Sequence, residues 1–281
     1  MSCDGAEFSP VKSGNRQIAH VSREPSMTSS NDNRFADFFE DEKYIALKNY
    51  LYNYLLRKHA VEKVMRNETE GVSLEIGSGM SPVLTSRNEV VYSDLSLSAL
   101  RTLKKIHGKG HYVVANAMNL PFRAGFFSHT VSSEVMEHLP DDRKGLREIA
   151  GVTKRGGSLV VTFPHRHFYF SFDDRFVNHY RRYELLEMER LLTEVGFDPL
   201  LVRKVLGPLE KMTMLMVTAC ISTLQRSRGK AQIRGKKSKP AGVMIRLFRW
   251  TNRLYAGLAR IDAIIMRPGL SAVLLIKAQK K

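Results

Sequence analysis

From residue 72 onward the chain alternates strand-like and helix-like patterns, and no other feature narrows its fold so far. "VSLEIG", "EVVYSDLS", "HYVVANA", "SHTVSSEV" and "GSLVVTFP" are short apolar runs predicted to be strands. "LSALRTLKKIHG", "DRKGLREIAGVTK" and "RRYELLEMERLLTEVGF" fall between or after them at helical spacing, the first stopping at Gly108 and the last at Gly196. Two further strands, "DPLLVRKVL" and "SAVLLIKAQ", follow. This alternation implies an α/β protein, a parallel sheet with helices on both faces. Upstream, "EDEKYIALKNYLYNYLLRKHAVEKVM" (40–65) reads as a helix with acids at its start and bases at its end, as the helix dipole prefers. Residues 1–33 are polar, aperiodic and predicted to be disordered.

The first strand runs into a glycine loop, "VSLEIGSGMSP" (72–82). Such a loop can face a triphosphate, a dinucleotide or a nucleoside without phosphate. The first needs a Gly-Lys-Ser/Thr ending, which is missing here. The second wants a third glycine and a full helix, but Pro82 takes the glycine position and the next strand follows within about ten residues. Glu75, just before the glycines, would repel a pyrophosphate and suits a cationic or amine-bearing ligand.

"LEIGSG", Asp94 at the end of the second strand, "ANAMNLPF", "VSSEVMEHLPD" and "RGGSLVVTFP" stand in order. Together they resemble the motifs of class I S-adenosylmethionine-dependent methyltransferases, of a type 11-like kind, over roughly residues 72–205. The resemblance implies a Rossmann-like seven-stranded sheet whose final strand pair is antiparallel. It implies S-adenosyl-L-methionine as cofactor. Glu75, Gly77, Ser78 and Gly79 would line its methionine part, Asp94 would take the ribose hydroxyls, and Leu95 would pack on adenine. Asn116 and Ala117 would meet the adenine amine, and Ser133 would lie beside the transferred methyl. Two departures stand out. The stretch between the glycines and Asp94 looks a helical turn short, and Ser128 stands where many members have Asp.

"EVMEHL" contains Glu134, Glu137 and His138, which on a helical turn would share one face. With His179 of "VNHYRRYE" downstream, the set is similar to that of two metal-using groups, the quinone-biosynthesis O-methyltransferases and the small-RNA 3′-end methyltransferases. The resemblance implies a divalent ion such as Mg2+ on Glu134, Glu137, His138 and His179. Without metal, His138 or His179 is the candidate base, with Glu134 beside the reacting groups. The stretch "FPHRHFYFSFDDRFVNHYRRY" (163–183) adds Phe168, Tyr169, Phe170, Phe172 and Phe176 where such sheets bind ligands. It reads either as an aromatic wall for an aromatic or prenylated acceptor or as ordinary core.

Charge is uneven. Residues 226–281 hold 15 Lys or Arg and one acid, Asp262, within a chain of net charge +16. The domain reading is a core with its N-terminal helix at 34–206, a helical basic insertion at 207–270 and the last core strand at 271–281. The insertion pairs an apolar run (212–224), too short to span a bilayer, with a second run in which Ile245, Phe248, Leu254, Leu258 and Ile261 recur near helical spacing among arginines. Between them "QRSRGKAQIRGKKSKP" reads as a basic linker. An anionic membrane surface is the expected partner; nucleic acid ranks below it, and a lid over the pocket or a solvated charged face are the remaining readings. Two cysteines and no apolar leader point to a cytoplasmic protein, membrane-peripheral through 207–270. The function expected is O-methylation of a small or lipid-linked, aromatic or prenylated acceptor. The alternatives are an RNA methyltransferase and a catalytically silent binding protein of the same fold.

Overall fold

In the computed structural model, residues 49–228 and 242–281 are described. The expected disorder of 1–33, the start of the 40–65 helix and most of the basic linker lie outside them. Seven strands form one sheet in the order β3-β2-β1-β4-β5-β7-β6. They are β1 (Ser73–Ile76), β2 (Val90–Asp94), β3 (His111–Val114), β4 (Phe127–Ser133), β5 (Thr153–Pro164), β6 (Phe197–Leu206) and β7 (Val273–Lys280). The pairs from β3 to β5 are parallel, and β7 runs antiparallel to both β5 and β6. This is the Rossmann-like sheet with an antiparallel final pair that the motifs imply.

The inner strands β1, β2, β4, β5 and β7 are buried on both faces over most of their length, so successive residues feed opposite cores. Leu159, Val161, Leu274 and Ile276 pack with Leu146, Ile149, Met188 and Leu192, which come from α3 (Asp142–Val152) and α5 (Leu185–Glu194). Val160, Val273 and Leu275 pack on the other face with Val61, Val64, Leu100 and Ala259. Those come from α1 (Tyr52–Met65), α2 (Leu97–His107) and α7 (Gly242–Ile265). Helix α2 shows why its sequence stops where it does. Ser96 caps its start by accepting from Ala99 N at 3.2 Å, and Gly108 ends it at φ 69°. Helix α1 begins at Tyr52 with no acid in its first turn, and the acids expected at 40–42 lie outside the described residues.

Between β6 and β7 the chain forms α6 (Pro208–Arg228), α7 and a 3₁₀ turn at Pro268–Leu270; a short helix, α4 (Phe172–Phe176), follows β5. Among the described residues, no helix is long and apolar enough to cross a membrane.

Candidate active site

Strand order reverses beside β1, between β2 and β4, which opens a crevice at the strand C-termini. The glycine loop enters it. Gly77 has φ 69° and Gly79 φ 53°, a region that costs glycine nothing. A Cβ on Gly77 would lie 2.4 Å from Val135 Cγ2, so the loop is pressed against the turn that follows β4.

No helix follows the glycines; residues 77–89 are turns and loop. The missing helical turn noted in the sequence is therefore a missing helix, and its place is taken by side chains that satisfy loop backbone. Glu75 accepts from Val83 N at 2.8 Å and Leu84 N at 2.9 Å. Glu62 accepts from Thr85 N at 2.7 Å, and the hydroxyls of Tyr54 and Tyr92 donate to the carbonyls of Pro82 and Leu84. Glu75 thus spends both carboxylate oxygens on the loop behind the glycines. Burial pushes its pKa up to about 8, against the pull of those two N–H bonds. Without a helix N-terminus, the loop lacks the usual device for holding a pyrophosphate.

Asp94 ends β2. One carboxylate oxygen accepts from Gly79 N and the other from Ser96 N, each at 2.8 Å. It therefore clamps the glycine loop as well as facing the crevice. Beside it Leu95 is 73% exposed, a large apolar surface with room for a flat ring. Asn116 accepts from Met118 N at 2.9 Å and holds a tight turn carrying Ala117. Ser78 Oγ is buried without a hydrogen-bond partner. These residues fit a nucleoside ligand: a glycine cradle, a carboxylate at a strand end, an apolar shelf and an unused hydroxyl.

The acid–histidine set does not form as one helical face. Glu134 adopts a left-handed φ of 55°, and only Met136–His138 are helical, as a single 3₁₀ turn. Glu134 swings to Arg57 Nη1 at 3.1 Å and takes a bond from Thr162 Oγ1, which also contacts Ser133 Oγ at 2.8 Å. Glu134 therefore does not join the expected metal set, since its carboxylate is already neutralised by Arg57. Glu137, His138 and His179 do converge, each offering one ligand atom within 4.8 Å of the others. The His138 and His179 rings meet edge to face at 4.7 Å.

Each member is held from outside. His179 Nδ1 lies 3.0 Å from Asp174 Oδ1, which leaves its Nε2 turned toward Glu137 Oε1 at 3.9 Å. His138 Nδ1 lies 3.3 Å from the carbonyl of Asn178, itself at φ 59°. Burial, and next the neighbouring His179, pushes the His138 pKa down to about 4, so the ring is neutral at physiological pH. Glu137 is fully buried, and neither carboxylate oxygen has a hydrogen-bond partner. Burial and the nearby Glu134 raise its pKa well above the usual carboxylate range.

Four residues that the motifs do not single out complete this wall: Arg57, Asp174, Arg182 and Lys211. Asp174 accepts from Arg182 Nε at 2.7 Å and Lys211 Nζ at 2.8 Å, and Lys211 also reaches Asp173 at 2.5 Å. Burial alone would raise the Asp174 pKa. The bond to His179, the charge of Arg182 and the Lys211 ammonium instead hold it well below the usual range. "FDD" and "RRY" hold a paired-charge signal for Asp174 and Arg182, but Lys211 comes from the first turn of α6 and no local pattern marks it. Of the aromatic wall, Phe168 is 61% and Phe172 48% exposed, and Tyr169, Phe170 and Phe176 are half-buried. None is ordinary core. His165 is buried against Ser271 O, and exposed His167 pairs with Glu187, so neither joins the cluster.

Residues 74–161 match a family described as a methyltransferase domain. Demethylmenaquinone methyltransferase of Paenarthrobacter aurescens is 33% identical over 97 residues, covering 34% of this chain and 38% of that protein. Chloroplastic tocopherol O-methyltransferase of Arabidopsis thaliana is 35% identical over 92 residues, 32% of this chain and 24% of that protein. The chain thus spans well under half the length of these relatives. A solved protein structure from Bacillus halodurans superposes with a TM-score of 0.52 at 17% identity, over 79% of this chain and 98% of that one. Sheet order, glycine loop, strand-end aspartate and family match agree: this chain carries a class I, S-adenosylmethionine-dependent methyltransferase domain.

Proposed function

We propose that the protein transfers a methyl group from S-adenosyl-L-methionine to a hydroxyl of a lipid-linked, aromatic acceptor. The observation that carries this reading is the contact between the two halves of the crevice: the Gly77 cradle abuts Val135, inside the turn that holds Glu134, Glu137 and His138. The donor loop and the acid–histidine cluster therefore meet at one strand edge. The exposed aromatics after β5 offer an apolar rim, and the relatives named for demethylmenaquinone and tocopherol support an acceptor of this class.

Bound in the crevice, S-adenosylmethionine supplies an electrophilic methyl group on a sulfonium. Asp94, Leu95 and Asn116 hold the nucleoside, and Gly77, Ser78 and Gly79 let backbone close on the remainder. The main task of the protein is alignment. His179 Nε2 accepts the acceptor's hydroxyl proton, because its Nδ1–H is committed to Asp174. Neutral His138 packs edge to face beside it without adding a charge.

A second reading is favoured by Glu137, a buried carboxylate with no hydrogen bond, facing two imidazoles whose Nδ1 atoms are oriented by outer partners. That donor set fits a divalent ion on Glu137, His138 and His179. Such an ion would lower the pKa of a bound acceptor hydroxyl.

The test is methyl-labelled S-adenosylmethionine incubated with the purified protein and separately with a lipid extract and total RNA. Label in the lipid fraction, lost in His179→Ala, is expected. Label in RNA alone favours the RNA enzyme, and cofactor binding without transfer favours a silent binding protein. Turnover that survives chelation, with no metal in the purified protein, removes the ion and leaves His179 as base.

A further inference from the structure

We infer that α6 and α7 form a platform that docks the protein on an anionic lipid surface. Helix α7 has two apolar faces. Its inner face sets Ala259 and Ala263 in the buried core and brings Tyr255 edge to face with Tyr52 at 4.7 Å. Its outer face carries Leu247, Trp250, Leu254, Leu258, Ile261 and Ile265 at spacings of three and four residues, all between 53% and 71% exposed. That is one continuous stripe along 19 of the helix's 24 residues, or about 28 Å. On α6, Met212 (62% exposed) and Met216 (65%) are also exposed apolar side chains. A soluble surface seldom leaves such a stripe uncovered.

The charge beside the stripe names the occupant. Arg246, Arg253 and Arg260 recur every seven residues, so they form a row along one edge of the stripe, and all are exposed. The only carboxylate of α7, Asp262, is turned away, accepting from Leu209 N at 3.0 Å. An apolar stripe with tryptophan, bordered by arginines and free of acids, matches the boundary of an anionic bilayer, where acyl chains lie beneath a layer of negative headgroups. A second copy of the same face would bring the two arginine rows together, and an RNA strand would leave the leucines and isoleucines unused.

The platform is tied to the sheet and to the crevice. Lys204 Nζ donates to the carbonyls of Ile264 and Met266 at 3.0 and 2.7 Å, which fixes the end of α7 to β6. Helix α6 starts with Glu210, which accepts from Asn53 Nδ2 and Tyr52 Oη, and with Lys211, which holds Asp173 and Asp174. Docking would therefore set the acceptor wall at a fixed height above the lipid. The inference stands on exposure and charge and holds for any acceptor.

The experiment is co-sedimentation of the full-length protein with phosphatidylcholine vesicles, and with the same vesicles containing phosphatidylglycerol, at low and high salt. No acceptor or cofactor is present, so the outcome is independent of the proposed reaction. Binding should be at least about tenfold tighter to the anionic vesicles and should fall with salt. Trp250→Ser with Leu258→Ser should abolish it. Arg253→Gln with Arg260→Gln should erase the preference for anionic lipid. Cofactor affinity and the melting curve should be unchanged in both, because all four side chains are exposed. Equal binding to both vesicles, or none, overturns the inference. So does a gel shift with RNA that the Trp250 and Leu258 changes remove without any vesicle binding, or a doubled mass in light scattering that those changes reverse.

Discussion

The two walls of the crevice are built in different ways. The cofactor wall uses one segment: Glu75, Gly77, Gly79 and Asp94 fall within 20 residues, and the two carboxylates hold backbone amides of that same segment, 8, 9 and 15 positions away. The acceptor wall uses strangers. His179 is oriented by Asp174 five positions away, but Asp174 is held by Lys211 from the insertion and Glu134 by Arg57 from α1. Hydrogen bonds to rigid backbone make the first wall a cradle of fixed shape. Buried charges exchanged between four distant elements make the second wall dependent on all of them at once. A wall of the first kind suits a ligand that never changes, and one of the second kind can be altered by changing one insertion.

Substitutions can separate the walls. His179→Ala should lower turnover by about 10² to 10⁴ and leave cofactor affinity unchanged, since it removes only the proton acceptor; single-turnover rates beside calorimetry check both halves. If both fall together, the walls are not independent. Lys211→Met should destabilise the protein by about 3–5 kcal/mol, because it leaves Asp173, 2% exposed, without its cation and Asp174 with Arg182 and His179 alone. Denaturant titration measures this, and a loss under 1 kcal/mol would argue that α6 is not structurally tied to the wall.

Asp94→Ala should weaken S-adenosylmethionine by about 10- to 100-fold, some 1.5–3 kcal/mol, since a charged acceptor is lost and Gly79 N is freed with it. Asp94→Asn keeps one acceptor and should fall between the two. A further effect is one of pH. Glu75 has its pKa raised to about 8, so from about pH 4.5 to 8 the folded chain holds a proton that the unfolded chain has released. Stability from this group should therefore fall as pH rises, by at most about 1.4 kcal/mol per pH unit. Melting temperatures of Glu75→Gln, which mimics the protonated acid, should lack that slope; an identical slope would show that Glu75 is ionised throughout.

The alternation of strands and helices, the Gly108 cap and the glycine loop were all legible in the sequence, because each depends on residues within one turn or one strand of each other. Period-two burial on both sheet faces and the left-handed glycines are local consequences of backbone geometry. The cofactor wall follows from them, down to Asp94 at the end of β2. Even so, Glu75 reads in sequence as a ligand for a cation, and only the packed loop shows both its oxygens taken by Val83 and Leu84. The E-x-x-E-H spacing reads as one helical face, yet the left-handed turn at Glu134 sends that side chain to Arg57. Spacing along a chain does not determine which way a buried charge turns; the nearest opposite charge in space does. Lys211 lies 37 residues from Asp174 and meets it only because the insertion folds back on the sheet edge. Tertiary structure alone decided that one apolar face of α7 would be buried and the other left open, because the sheet has room for one side of a helix and the arginine row faces outward.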